Sequence, residues 1–104
     1  MSYFNAVIED KAAFEHALDT PLTVFALFAS EGCYACNATL PWFVEITKAH
    51  QGKIKVLILD CANTPKHPMV VRIPTLLIYQ RGQLVRTLEG VSESALLQAL
   101  IELA

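Results

Sequence analysis

The alternation of apolar and polar positions divides much of the chain into strands. Residues 22–29 and 54–59 are apolar at nearly every position, which predicts strands covered on both faces of a sheet. Shorter apolar runs at 76–79 and 84–88 flank a polar segment that contains Gly82. Two such runs around a glycine predict a β-hairpin.

Apolar residues recur at helical spacing in three other segments, 10–18, 34–50 and 92–103. Asp10 and Ser92 stand at the starts of the first and last of these segments, and each is a candidate N-cap. One apolar side is predicted for the last helix, formed by Leu96, Leu97, Leu100 and Leu103.

The remaining segments complete the order of elements. Residues 3–8 fit a short edge strand, and residues 61–72, with two prolines, predict a loop. Strands that alternate with helices and end in a hairpin predict an α/β fold. This fold has a mixed sheet flanked by helices on both faces. At 104 residues the chain is expected to form a single domain, residues 1–104.

Composition and charge narrow the classes of function. No apolar run approaches the roughly 20 residues that span a bilayer, so no membrane association is expected. The net charge is −2 and basic residues are scattered, which argues against nucleic acid as a partner. The N-terminus has no basic and apolar leader, so a cytoplasmic location is expected. Three cysteines do not suit a structural disulfide framework.

Two of the cysteines form the motif Cys33-Tyr34-Ala35-Cys36, between a predicted buried strand and a predicted helix. A Cys-x-x-Cys in this setting is typical of a redox-active dithiol. Inert core cysteines and a zinc site are the alternatives. Zinc usually takes four ligands, and no second pair of cysteines is present. Cys61 is expected to be a partly buried bystander.

The polar and aromatic residues outside the motif have simpler expected roles. The three histidines, His16, His50 and His67, are expected on the surface. Trp42 is expected to pack on the long helix, and Asp60 to end a strand rather than act as a base.

Further motifs give the whole chain a resemblance to the thioredoxin family. Pro41 lies inside the helix that follows the cysteine pair, and Arg72-Ile73-Pro74-Thr75 resembles the family's cis-proline loop. Gly82 matches its hairpin glycine, and Gly90 the glycine before the last helix. The resemblance implies a thioredoxin fold.

The chain departs from the family pattern at three places. Gly32-Cys33-Tyr34-Ala35-Cys36 stands where typical members have Trp-Cys-Gly-Pro-Cys. Leu27 occupies the position of the family's buried aspartate, and Val56 that of the lysine that partners it. Losing both charges together is electrostatically consistent, because either one alone would be buried and unpaired. The usual proton acceptor for the second cysteine is then missing.

The resemblance implies a thiol-disulfide oxidoreductase that acts on disulfides in protein substrates. Cys33 is expected to be the nucleophile because a helix N-terminus favours negative charge, with Cys36 as the resolving thiol. Substrate is expected to bind around the thiol, at Tyr34, Ile73, Pro74, Thr75 and Val91. Electrons would come from a thioredoxin reductase or a small thiol, and no bound cofactor is expected. A non-catalytic binding module with the same fold is the alternative.

Overall fold

A computed structural model describes residues 3–104 of the chain. Four strands form one sheet in the order β2-β1-β3-β4: β1 (Thr23–Ala29), β2 (Ile54–Asp60), β3 (Thr75–Gln80) and β4 (Gln83–Glu89). β1 pairs with β2 in parallel and with β3 antiparallel, and β3 pairs antiparallel with β4. The predicted mixed sheet is confirmed.

Three helices flank the sheet: α1 (Lys11–Ala17), α2 (Tyr34–Lys48) and α3 (Glu93–Leu103). The predicted caps are confirmed, because the Asp10 side chain accepts a hydrogen bond from the Ala13 amide and Ser92 accepts one from Ala95. No described helix is long and apolar enough to cross a membrane.

The side chains of β1 alternate between two apolar layers. Phe25 and Leu27 point to the layer that α2 and α3 cover, which we call the helix face. Val24, Ala26 and Phe28 point to the opposite layer, which α1 and the 61–73 segment cover and which we call the loop face. Because β1 pairs on both edges and is covered on both faces, its residues are almost fully buried.

The predicted hairpin is confirmed, with a shorter turn than the sequence indicated. Gln80 pairs with Gln83, so Arg81 and Gly82 alone connect β3 to β4. Both have positive φ angles, 53° and 78°. Such angles at both central positions match the right-handed twist of the flanking strands.

Two details of the predicted elements are wrong. Residues 3–8 form no strand, although the segment runs beside β2. The Asn5 side chain accepts a hydrogen bond from the Ile58 amide at 2.8 Å and donates one to the Val56 carbonyl at 2.9 Å, replacing part of a backbone ladder. On α3, Leu97 is 47% exposed, and Ala99 is buried instead. The buried side of α3 is therefore formed by Leu96, Ala99 and Leu100.

Candidate active site

The end of β1 and the start of α2 position Cys33. β1 ends at Ala29, and a short turn follows in which the Cys33 amide donates a hydrogen bond to the Ser30 carbonyl at 3.3 Å. Cys33 itself is the N-cap of α2, with extended backbone angles. Its sulfur accepts a hydrogen bond from the Cys36 amide at 3.2 Å. The sulfur thus takes the place of the capping oxygen and faces an otherwise unpaired helix amide.

Cys36 lies one helical turn further on and has no exposed surface. Burial, followed by a hydrogen bond to the Cys33 side chain, raises the pKa of the Cys36 thiol to about 12. The structure holds both cysteines as free thiols. The two sulfurs are therefore distinct in access, because only Cys33 is partly exposed.

The segment before β3 brings a backbone carbonyl to the accessible sulfur. The peptide bond between Ile73 and Pro74 is cis. The Cys33 thiol donates a long, 4.0 Å hydrogen bond to the Ile73 carbonyl. On the other side of the proline, the Gly90 amide donates to the Pro74 carbonyl at 3.0 Å, which ties this segment to the end of β4.

The structure divides the predicted substrate-binding residues into an exposed and a buried group. Tyr34 is 89% exposed, and Ile73 is half-buried beside Cys33. Pro74 is buried. Thr75 and Val91, which are also expected to bind substrate around the thiol, have buried side chains.

Each of these two burials has a local cause. The Thr75 hydroxyl donates to the Arg72 carbonyl at 2.6 Å, so it is turned into the chain rather than toward a ligand. Val91 follows Gly90, whose φ of 68° turns the backbone, and the valine side chain joins the core of the helix face. An L-residue would be strained at that angle.

The layer beneath the dithiol is apolar. Leu27 is fully buried, and Val56, on the neighbouring strand, packs against the same core. Among the described residues, the buried polar side chains are three threonines, Thr39, Thr47 and Thr75. Among the residues that the structure describes, therefore, no carboxylate or ammonium group is buried beneath Cys36.

The third cysteine lies beside the end of β1, the strand that leads to the dithiol. Cys61 is half-buried at the end of β2, where its amide donates to the Ala29 carbonyl at 2.9 Å. Burial raises the pKa of its thiol, with smaller contributions from Asp60 and Cys33. No group of three or more potential metal ligands occurs among residues 3–104.

Of the three histidines expected on the surface, His16 is exposed, whereas His50 is half-buried and so is His67. Its ring is half-buried on the loop face, among Phe14, Phe28 and Tyr79. Trp42 packs against the core of the helix face, as predicted. The aromatic neighbours of His67 come from three separate elements, so no local sequence pattern could have indicated its burial.

The mixed sheet, the N-capping cysteine and the adjacent cis-proline loop define a thioredoxin-fold protein with an active-site dithiol. The family model described as Thioredoxin matches residues 5–102, and the chain belongs to the thioredoxin family. With its Cys33-x-x-Cys36 pair, it is a thiol-disulfide oxidoreductase.

Individual relatives agree with this assignment over most of the chain. A thioredoxin from Synechocystis sp. is 31% identical over 98 residues, which cover 91% of this chain and 92% of the relative. Thioredoxin 1 from Nostoc sp. is 30% identical over 103 residues, 93% and 94% of the two chains. Oxidized mitochondrial thioredoxin 3 from Saccharomyces cerevisiae shares the fold, with a TM-score of 0.82, 19% identity and 92% of each chain covered.

Proposed function

We propose that Cys33 is the attacking thiol and Cys36 the resolving thiol in the reduction or exchange of disulfides in polypeptide substrates. The observation that carries the proposal is the hydrogen bond from the Cys36 amide to the Cys33 sulfur, 3.2 Å long. A donor at this position stabilises a thiolate on Cys33, and the thiolate is the species that attacks a disulfide.

In the first step, the Cys33 thiolate attacks one sulfur of the substrate disulfide. A Cys33–substrate disulfide forms, and the other substrate sulfur leaves as a thiolate. In the second step, Cys36 attacks the Cys33 sulfur and releases the second substrate sulfur. The two electrons of the dithiol are then on the substrate, and Cys33 and Cys36 are joined by a disulfide.

The proton on Cys36 must leave between these steps. In the free dithiol, burial and the contact with Cys33 hold the pKa of Cys36 at about 12. A Cys33 sulfur in a mixed disulfide carries no charge, so its electrostatic contribution to that raised pKa is removed. Leu27 offers no base. We therefore propose that the departing substrate thiolate, whose ordinary pKa is roughly 8.5, takes the proton.

Substrate binding is proposed to use the backbone of Ile73 and the exposed ring of Tyr34. The Ile73 carbonyl is already 4.0 Å from the Cys33 sulfur, and an extended peptide can pair with backbone at such a position as a strand adds to a sheet. Pro74, Thr75 and Val91 support this surface from behind, since all three are buried.

The proposed electron donor is a thioredoxin reductase or a small thiol, and the dithiol needs no bound cofactor. The proposed location is cytoplasmic. An odd number of cysteines does not suit a structural disulfide framework, which supports a reducing compartment. The chain is proposed to act as a single domain.

Insulin reduction with three single variants tests the assignment of roles. Cys33→Ser should reduce the rate to that of the uncatalysed reaction, because the attacking sulfur is gone. Cys36→Ser should accumulate a mixed disulfide with substrate, visible by mass spectrometry without reductant. Cys61→Ser is the matched control and should keep the native rate.

Full activity in the Cys33→Ser protein would contradict these roles. The variant that lacks both Cys33 and Cys36 separates the enzyme from the alternative of a binding module. An enzyme loses its biological role in that variant, whereas a binding module keeps it.

A further inference from the structure

Both ring nitrogens of His67 are engaged in hydrogen bonds. Nδ1 lies 3.0 Å from the Met69 amide nitrogen, which donates to it. Nε2 lies 2.8 Å from the Tyr79 hydroxyl. A backbone N–H can only donate, so Nδ1 must be an acceptor. The geometry therefore assigns a neutral ring with its proton on Nε2, donated to Tyr79.

The surroundings of the ring favour the same neutral form. Phe14 of α1, Phe28 of β1 and Tyr79 of β3 lie around it, with ring centroids 5.8, 5.9 and 6.5 Å away. Burial among these rings lowers the pKa of His67. Protonation would also place a second N–H on Nδ1, directly against the Met69 amide. Two donors then face each other, and the contact breaks.

The charged groups near the ring do not reverse this preference. Lys11 and Glu15 of α1, Lys66 of the loop and Tyr79 of β3 line the cavity beside His67, and β1 contributes no titratable group to it. The two lysines disfavour an added positive charge and Glu15 favours it. All three are exposed, so solvent and salt screen them. Cys61 and Arg72 line the adjoining cavity with His67. Cys61 carries no charge as a thiol, and the exposed Arg72 adds to the disfavour of the two lysines toward a further positive charge.

A short stretch of chain connects His67 to the active site. From Met69 the backbone runs through Val70 to Ile73, and both of these side chains pack on the loop face. His67 and Ile73 line one cavity of about 380 Å³. The hydrogen bond to Met69 fixes the ring within this segment, and the hydrogen bond from Nε2 to the Tyr79 hydroxyl of β3 links the segment to the sheet.

We propose that neutral His67 is a positioning residue for thiol-disulfide exchange: it anchors the 61–73 segment to the sheet, so that Ile73 presents its backbone to substrate beside Cys33. Protonation of His67 breaks the Met69 hydrogen bond and disfavours the ring among its aromatic neighbours; when the ring leaves them its link to Tyr79 is lost, the segment is released and substrate binding weakens. This inference rests on the proposed substrate surface at Ile73.

The direction of the pH effect follows from the lowered pKa. The unfolded or released segment takes up a proton at a higher pH than the anchored one. The anchor is therefore fully formed above the ordinary histidine value of about 6.5 and is lost as pH falls through the lowered value.

The test compares the native protein with His67→Asn between about pH 7.5 and pH 5, a range that brackets the ordinary histidine pKa. An asparagine oxygen can accept the amide two residues on, as Nδ1 does here, and it does not titrate. KM and kcat are measured with a soluble disulfide-linked peptide, and exchange of the Met69 amide is followed by NMR.

The native KM should rise on acidification by at least about threefold more than that of the variant, because apparent affinity scales with the anchored fraction. The ratio of the two kcat values should stay constant, since both proteins have the same dithiol. The protection of the Met69 amide, which is its exchange rate relative to the intrinsic rate at the same pH, should decrease at acid pH in the native protein alone. His67→Gln, which can donate toward Tyr79 but does not titrate, should also lack the acid-dependent rise.

Equal pH dependence of KM in the native protein and the His67→Asn variant would overturn the inference while leaving the proposed function intact. Equal pH dependence of Met69 exchange would overturn it as well. If neither protein reduces the peptide at any pH, the proposed function fails and the inference fails with it.

Discussion

The two faces of the sheet are covered by different kinds of structure, one by long helices and the other by a short helix and a loop. The helix face is closed by α2 and α3, of 15 and 11 residues, and α2 buries Cys36, Thr39 and Thr47 as well as its apolar residues. The loop face is covered by the 7-residue α1 and the 61–73 segment, and it includes Tyr79 and, at its edge, Cys61. The two titratable rings, Tyr79 and His67, are thus found where a loop rather than a long helix provides the cover.

Burial shifts the pKa values of one thiol and one imidazole in opposite directions. Burial disfavours the charged form, so it raises the pKa of the Cys36 thiol on α2 and lowers that of His67 on the loop. Both groups are therefore neutral at rest. Cys36 must lose a proton to react, whereas His67 must not gain one if its anchor is to hold.

The largest expected change in stability that tests the difference between the two faces comes from placing a charge in the core of the helix face. Leu27→Asp should reduce the free energy of unfolding by about 5 kcal/mol at neutral pH, from about 2 for the lost leucine and about 3 for an unpaired buried carboxylate. Chemical denaturation followed by Trp42 fluorescence measures the loss. Leu27→Asn is the matched control without a charge.

The pH dependence of that variant separates burial from charge. Burial should raise the pKa of the introduced carboxyl, so the loss should shrink as pH falls and the group takes up a proton. Leu27→Asn should show no such recovery. A loss below about 2 kcal/mol in the Asp variant would mean that water reaches the helix face and that the comparison is wrong.

The contrast between the faces also explains what could be predicted from the sequence. The dithiol and its strand-to-helix setting were predictable, because everything from β1 to Cys36 is contiguous in the chain. Leu27 and Val56 could be placed from strand positions, and both lie on the helix face as a strand's alternation requires.

Burial imposed by distant elements could not be predicted in this way. The sequence places Thr75 and Val91 around the thiol, but it does not indicate that a hydrogen bond to Arg72 and the turn at Gly90 direct their side chains inward. A surface position is the simplest expectation for His67, which is instead half-buried beside aromatic rings from other elements. Irregular segments have no periodicity, so a pattern of polar residues says little about which of them a loop buries.

A smaller difference between the faces should appear when one aromatic ring is removed from each. Phe43, on α2, is fully buried, whereas Phe14, on α1, is half-buried. Phe43→Ala should destabilise the protein by about 3–5 kcal/mol, the usual range for a buried phenylalanine. Phe14→Ala should lose about half as much, since part of its ring is already in water. Equal losses of stability in the two variants, measured by thermal or urea unfolding, would contradict the conclusion that the helix face is covered more completely than the loop face.

The smallest expected effect concerns the caps of the two covering helices. Asp10 caps α1 with a 2.7 Å hydrogen bond, and Ser92 caps α3 with one of 3.2 Å. Removing either cap by substitution with alanine should weaken its helix by about 1 kcal/mol. The two helices differ in whether this loss affects global unfolding or only local opening, because α3 contributes three buried residues and α1 contributes none.

Ser92→Ala should therefore lower the global free energy of unfolding by the full amount, since α3 cannot detach without opening the core of the helix face. Asp10→Ala should act mainly on local opening, because α1 can fray while the sheet remains paired. Hydrogen exchange distinguishes the two outcomes. Faster exchange confined to the amides of α1 in Asp10→Ala, with strand amides unchanged, is the expected result. Acceleration of the β1 amides by the same factor would mean that α1 is as integral to the fold as α3.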